Sequence, residues 1–384
     1  MFGSYLTQWD LLVIVFYFVF QFSLGFIFKA FSKDASDYFR GGGSMLWWLV
    51  GASAFMTQFS AWTFTGAAGK AYVDGTLVMA IFFGNALGYF CNYLYTSYRY
   101  RRMRVVTAIE GVRDRFGPVN EQVFTWLQVP MSVVYAGIWL NGLGIVASSF
   151  FNVDPSFTVL IVGVVVVLMS VMGGSWAIVA SDFMQTLLLM SITLVACFLA
   201  LSHPAVDGLS GLLTKLPEGH LRPWDAEDAT FVYFWIFAAF VIQSFKLNNM
   251  FDAYRYLCVK DDKQARKASL MASILMFLGP FIWFIPPMAA RIIQPDLALV
   301  FPELGDKAYE GAFVFIGLEL MPLGMVGLLL CALFAATISS MDTGLNRNAG
   351  IIVKNFYQPV FRKNASPEHL LLAGKVISAL FGAL

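Results

Sequence analysis

Runs of about twenty consecutive apolar residues recur along the whole sequence, and each is long enough to cross a hydrocarbon layer about 30 Å thick as a helix. Hydropathy places them near residues 10–28, 46–70, 74–98, 120–150, 156–173, 178–201, 229–256, 268–293 and 322–352, with a tenth starting near 369. A water-soluble core cannot absorb that much apolar surface: 59% of the 384 residues are hydrophobic, 13% are charged, and the mean hydropathy is +0.70. Such runs satisfy their backbone hydrogen bonds internally, whereas a β-barrel would show short alternating segments. The sequence therefore predicts an all-α polytopic membrane protein. The first run follows Asp10 rather than a basic stretch and lacks a small-residue cleavage site after it, so it is expected to stay as a helix. The tenth run reaches Leu384 while still apolar. A helix stopping in lipid would leave carbonyls unsatisfied, so a continuation beyond this sequence is expected.

Lysine and arginine set the expected orientation. With an external N-terminus, alternation of sides puts Arg99, Arg101, Arg102, Arg104, Arg113 and Arg115 in one cytoplasmic connection and Arg255, Lys260, Lys263, Arg266 and Lys267 in another. The opposite connections hold only Lys215, Arg222 and Lys307, a bias that one missed span would scramble. A cell membrane, plasma or inner, is the expected location. The net charge of +1 implies no nucleic-acid partner. Cys91, Cys197, Cys258 and Cys331 are far apart with no metal-ligand spacing, and His203, His220 and His369 all fall in polar connections. Neither a histidine metal site nor a nucleophilic triad can be assembled from them, so enzymatic chemistry is not expected.

Two of the apolar segments carry polar clusters that a plain anchor would lack. The second reads GASAFMTQFSAWTFTGAAG over 51–69, and the ninth reads CALFAATISSMDTGLNRNAG over 331–350. Small and hydroxyl residues at these positions are compatible with close helix packing. Asp342 points beyond packing, because a carboxylate inside a spanning segment is costly and usually marks an ion path or proton relay. A hard cation favours a few oxygen ligands, hydroxyls together with carbonyls freed where a helix unwinds. Both segments are expected to be interrupted and to supply them.

With those segments in view, the sequence resembles the sodium:solute symporter family, which contains sodium/glucose, sodium/proline and sodium/sialic acid transporters. The strongest element is AATISSMDTGLN at 335–346; GASAFMTQFSAWTFTGAAG, GGSWAIVASDFMQ at 173–185, and KDDKQARKASL followed by PPMAARIIQPD support it in the family's order. The resemblance implies a LeuT-like core of five helices plus five in inverted repeat, preceded by an extra N-terminal helix at 10–28. On that mapping residues 1–384 form one transporter domain, the first repeat covers 45–201, and the second covers 229–384 and is cut before its last helix. Each repeat should begin with a broken helix, with the solute beside the breaks.

The family's main sodium site maps onto the backbone carbonyls of Met56, Phe59 and Ala336 and the hydroxyls of Ser339 and Ser340. A second sodium site of some members falls on Asp182, Ser339, Asp342 and Thr343, although Asp182 could equally cap the helix after the Gly173–Gly174 turn. The solute-lining positions fall on Gln58, Ser60, Trp62, Thr63, Phe82, Asn85, Tyr135, Trp139, Phe245 and Lys246. Trp62 and Thr63 stand where galactose transporters carry a Glu-Gln pair, and Tyr135 where sialic acid transporters carry an arginine. Lys246, inside an apolar helix, either faces the cavity or snorkels to the cytoplasmic face. The resemblance thus implies sodium-coupled symport of a small polar solute, a carboxylate or a sugar-like compound, by alternating access. Sodium is the coupling ion, and the solute and the lipid bilayer are the partners. A solute-sensing domain of a larger signalling protein is the competing expectation.

Overall fold

The computed structural model describes residues 6–151, 155–222, 229–252 and 254–383. Among them there is no strand beyond one isolated bridge between Met45 and Val259. Helix α1 (Gln8–Lys29) opens on a capping box, in which Thr7 Oγ1 accepts the Asp10 N–H at 3.3 Å and Asp10 Oδ2 accepts the Thr7 N–H at 2.9 Å. The short α2 (Ala35–Arg40), capped by Asp34, leads to α3 (Trp47–Met56), α4 (Ala61–Phe64) and α5 (Gly66–Asp74). The 46–70 run is thus not one helix but an interrupted one, unwound over 57–60. Next come α6 (Met79–Cys91), α7 (Ser97–Arg102), α8 (Ala108–Phe116) and α9 (Pro118–Phe151).

Helix α10 (Pro155–Ser202) joins two predicted runs end to end across Gly174, which has φ +57° and ψ −157°. A Cβ there would lie 2.7 Å from the Tyr38 carbonyl oxygen, so the kink needs glycine for its dihedral and for the close approach. After α11 (Gly208–Lys215), α12 (Ala229–Leu247) ends nine residues short of the predicted 256, and α13 (Tyr254–Leu257) follows the break. Two successive helices, α14 (Asp262–Leu278) and α15 (Pro280–Trp283), run into α16 (Ile285–Ile293), and α17 (Ala312–Leu320) precedes the longest buried element, α18 (Met325–Ile351). The remaining helices are α19 (Gln358–Phe361) and α20 (Pro367–Ala383).

Seven helices among the described residues are long and apolar enough to span a membrane. Trp47–Met56 and Ser156–Leu168 are apolar but shorter, and α20 has 17 residues, which together account for the three further runs seen in the sequence. Helix α18 sits at the centre, 89% buried over its most apolar window, with α1, α9, α10 and α20 packed around it. It is continuous across 331–350, so the expected interruption of that segment does not occur. Asp10 fixes the N-terminal end of α18, since its Oδ1 accepts the Gly327 N–H at 2.7 Å. That N–H is one of the unpartnered donors of a helix start, and a carboxylate there also complements the helix dipole.

Candidate functional site

The unwound residues 57–60 lie against one face of α18. Ser340 Oγ donates to the Phe59 carbonyl at 2.6 Å and approaches the Thr57 carbonyl at 3.3 Å and that of Ala336 at 3.5 Å. One turn earlier on the same face, Thr337 Oγ1 accepts the Ala61 N–H at 3.0 Å. The Met56 carbonyl accepts the Phe59 N–H at 2.9 Å within the turn. A carbonyl oxygen has two lone pairs, so those of Met56 and Phe59 each retain one after these bonds, whereas that of Ala336 also accepts the Ser340 N–H in the unbroken ladder of α18. Met56, Phe59, Ala336, Ser339 and Ser340 are all buried. Ser339 Oγ has no aligned hydrogen bond although it lies beside Asp182, an orphaned oxygen in a group otherwise made of oxygens. An oxygen-only donor set fits a hard monovalent cation.

The adjacent face of α18 carries Ser339, Asp342 and Thr343, spaced i, i+3 and i+4 toward α10. Here the structure adds a residue that sequence reasoning missed. Arg255, counted above among the loop cations, is buried, with 3% of its surface exposed. Its Nη2 donates to Asp182 Oδ2 at 3.2 Å and also to Thr343 Oγ1, and Asp182 Oδ2 accepts the Ser53 hydroxyl as well. Asp182 therefore does not cap a helix start; it lies eight residues beyond Gly174 and links α3, α10 and α13. The expected second cation set thus comes together with a guanidinium among its members. Asp182 Oδ1, Asp342 Oδ1 and Ser339 Oγ remain buried without hydrogen-bond partners. The signal that could have found Arg255 is its place inside the 229–256 run, where a charge needs a partner.

The expected solute positions divide. Tyr135, Trp139 and Lys246 line a cavity of about 720 Å³ between α9, α12 and α18 that reaches Ser340. Gln58 joins them through its Oε1, which accepts from Lys246 Nζ at 3.3 Å. Lys246 therefore points across the cavity to the broken helix. Phe82 instead packs in an aromatic cluster with Phe59, Trp283 and Phe284, and Thr63 and Asn85 are buried outside the cavity wall. Ser60 is half-buried at the start of α4, and Trp62 and Phe245 are exposed, Phe245 by 76%. None of these three is on the cavity wall.

An interrupted helix whose carbonyls meet the hydroxyls of an unbroken central one, beside a mostly apolar cavity with three charged side chains on its wall, defines a helical bundle of the multi-pass membrane kind. The chain belongs to the sodium:solute symporter family, whose profile matches residues 38–384. It is 26% identical over 369 residues to the sodium/sialic acid symporter of Proteus mirabilis (strain HI4320), covering 94% of this chain and 73% of that one. Over 425 residues it is 28% identical to the sodium/myo-inositol cotransporter 2 of Bos taurus, covering 97% of this chain and 59% of the relative. Its fold matches the solved structure of a sodium-coupled sialic acid symporter in a substrate-bound, outward-open state, with a TM-score of 0.86 at 21% identity over 98% of this chain and 80% of that one. The bundle is therefore of the LeuT-like kind.

Proposed function

We propose that this chain carries out sodium-coupled symport of a small polar organic solute into the cell by alternating access. Residues 45–201 serve as the first repeat and 229–384 contribute to the second. The two breaks, at 57–60 and after Leu247, support that division, since each opens its repeat. Sodium is held by the carbonyls of Met56, Phe59 and Ala336 and the hydroxyls of Ser339 and Ser340. The observation that carries this reading is the 2.6 Å approach of Ser340 Oγ to the Phe59 carbonyl, which brings oxygens of the broken and unbroken helices to one point.

A cation at that point favours the arrangement in which α3, α4 and α18 are drawn together. Solute bound in the adjoining cavity favours the same arrangement, so each raises the other's affinity. The relatives named above for sodium and sialic acid or myo-inositol support a coupled mechanism of this kind. Sodium-dependent uptake into proteoliposomes tests it. With Ser339→Ala and Ser340→Ala combined, sodium activation is expected to shift to concentrations at least about tenfold higher, in line with typical coupling energies. An unchanged sodium dependence would remove the cradle.

A further inference from the structure

The wall of the cavity holds three charged side chains, Lys246, Arg347 and Asp252. Asp252 is neutralised in place: its Oδ1 lies 3.8 Å from Arg347 Nη1, and its Oδ2 accepts from Asn249 Nδ2 at 3.3 Å. Lys246 forms no ion pair among the described residues, and its one hydrogen-bond partner is the neutral amide of Gln58. Arg347 Nε is a second donor left without an acceptor. Asn348 Oδ1 on the same wall is an acceptor without a donor, so what sets the wall apart is its one uncompensated positive charge, in a segment where an ionised side chain is retained mainly for a ligand or an ion path.

The position of that charge matters as much as its sign. Gln58 lies between Thr57 and Phe59, whose carbonyls both face Ser340 Oγ. Lys246 is thus tethered one residue from the proposed sodium ligands, and two cations so placed repel each other. A neutral solute would leave that repulsion standing, whereas an anionic one between them would cancel it and bring sodium and solute together.

We propose that the solute is an organic carboxylate, that Lys246 is the residue that selects it, and that cancelling the repulsion between Lys246 and sodium is the source of coupling. The inference rests on the sodium cradle proposed above. It is tested by binding of radioactive sodium to the purified protein in the presence of two acid and neutral pairs of different size, lactate with lactamide and glucuronate with glucose. At least one acid is expected to raise sodium affinity by about tenfold, while its neutral partner leaves it unchanged. Lys246→Gln is expected to bind sodium on the order of fivefold more tightly without solute and to lose the response to the acid; Lys246→Arg is expected to keep it. Neutral partners that act as well as the acids would overturn the proposal. So would a panel in which no acid acts, or a Lys246→Gln protein that behaves like the parent. Sodium binding indifferent to Ser339→Ala with Ser340→Ala would instead remove the cradle, so the two failures are told apart.

Discussion

Arg255 shows how much can rest on one side chain in a membrane bundle. Its guanidinium meets Asp182 on α10 and Thr343 on α18, and Ser53 on α3 donates to the same Asp182 oxygen. Both charges are buried, so neither has water to fall back on, and removing one leaves the other uncompensated. Arg255→Ala is expected to cost about 3–5 kcal/mol, read as a fall in the thermal unfolding temperature of the detergent-purified protein. Adding Asp182→Asn to the same chain removes the stranded charge and is expected to recover most of that loss. A double variant no more stable than Arg255→Ala alone would mean that the guanidinium acts by packing rather than by charge. Lys246 presents the complementary case of a cation held by a neutral amide at 3.3 Å and left available to a ligand.

Among the helices, the kink of α10 and the break between α3 and α4 determine which side chains meet. Gly174→Ala places a Cβ against Tyr38 and forces an L-residue into a backbone region that is essentially glycine's alone, at a cost of about 1–3 kcal/mol. The expected outcome is a sharp loss of monodisperse protein in size-exclusion chromatography, with Asp182 and Ser53 drawn out of register. The apolar runs and this glycine pair were legible in the sequence, because span length and the tolerance of glycine for positive φ are local properties. The break at 57–60 was also legible, from hydroxyls and small residues crowded into one segment. The same signal misled at 331–350, where α18 runs unbroken. There the polar side chains find partners outside their own helix, as Thr337 does with Ala61 and Ser340 with Phe59, so the backbone keeps its ladder. Arg255 was not legible as a buried group because only the fold brings it beside Asp182, a residue 73 positions away in sequence.

The molecule as a whole presents its basic connections at one end of the bundle, and the cavity lies toward that end, between Gln128 near the start of α9 and Asp252 in the break after α12. With that end cytoplasmic, a cysteine replacing the exposed Lys263 is expected to react with a membrane-impermeant maleimide in inside-out vesicles and to be protected in right-side-out ones. Labelling in right-side-out vesicles alone would reverse the expected orientation, and equal labelling in both would show it to be mixed. The oxygens proposed to hold sodium belong to two different bodies, a straight rod through the centre and a four-residue gap in a neighbouring helix. Any tilt that parts rod from gap dismantles the seat itself rather than merely uncovering it. On the proposed ligand set, an ion that has crossed would leave because its cage ceases to exist, and the empty protein would not recapture it until the two bodies close again.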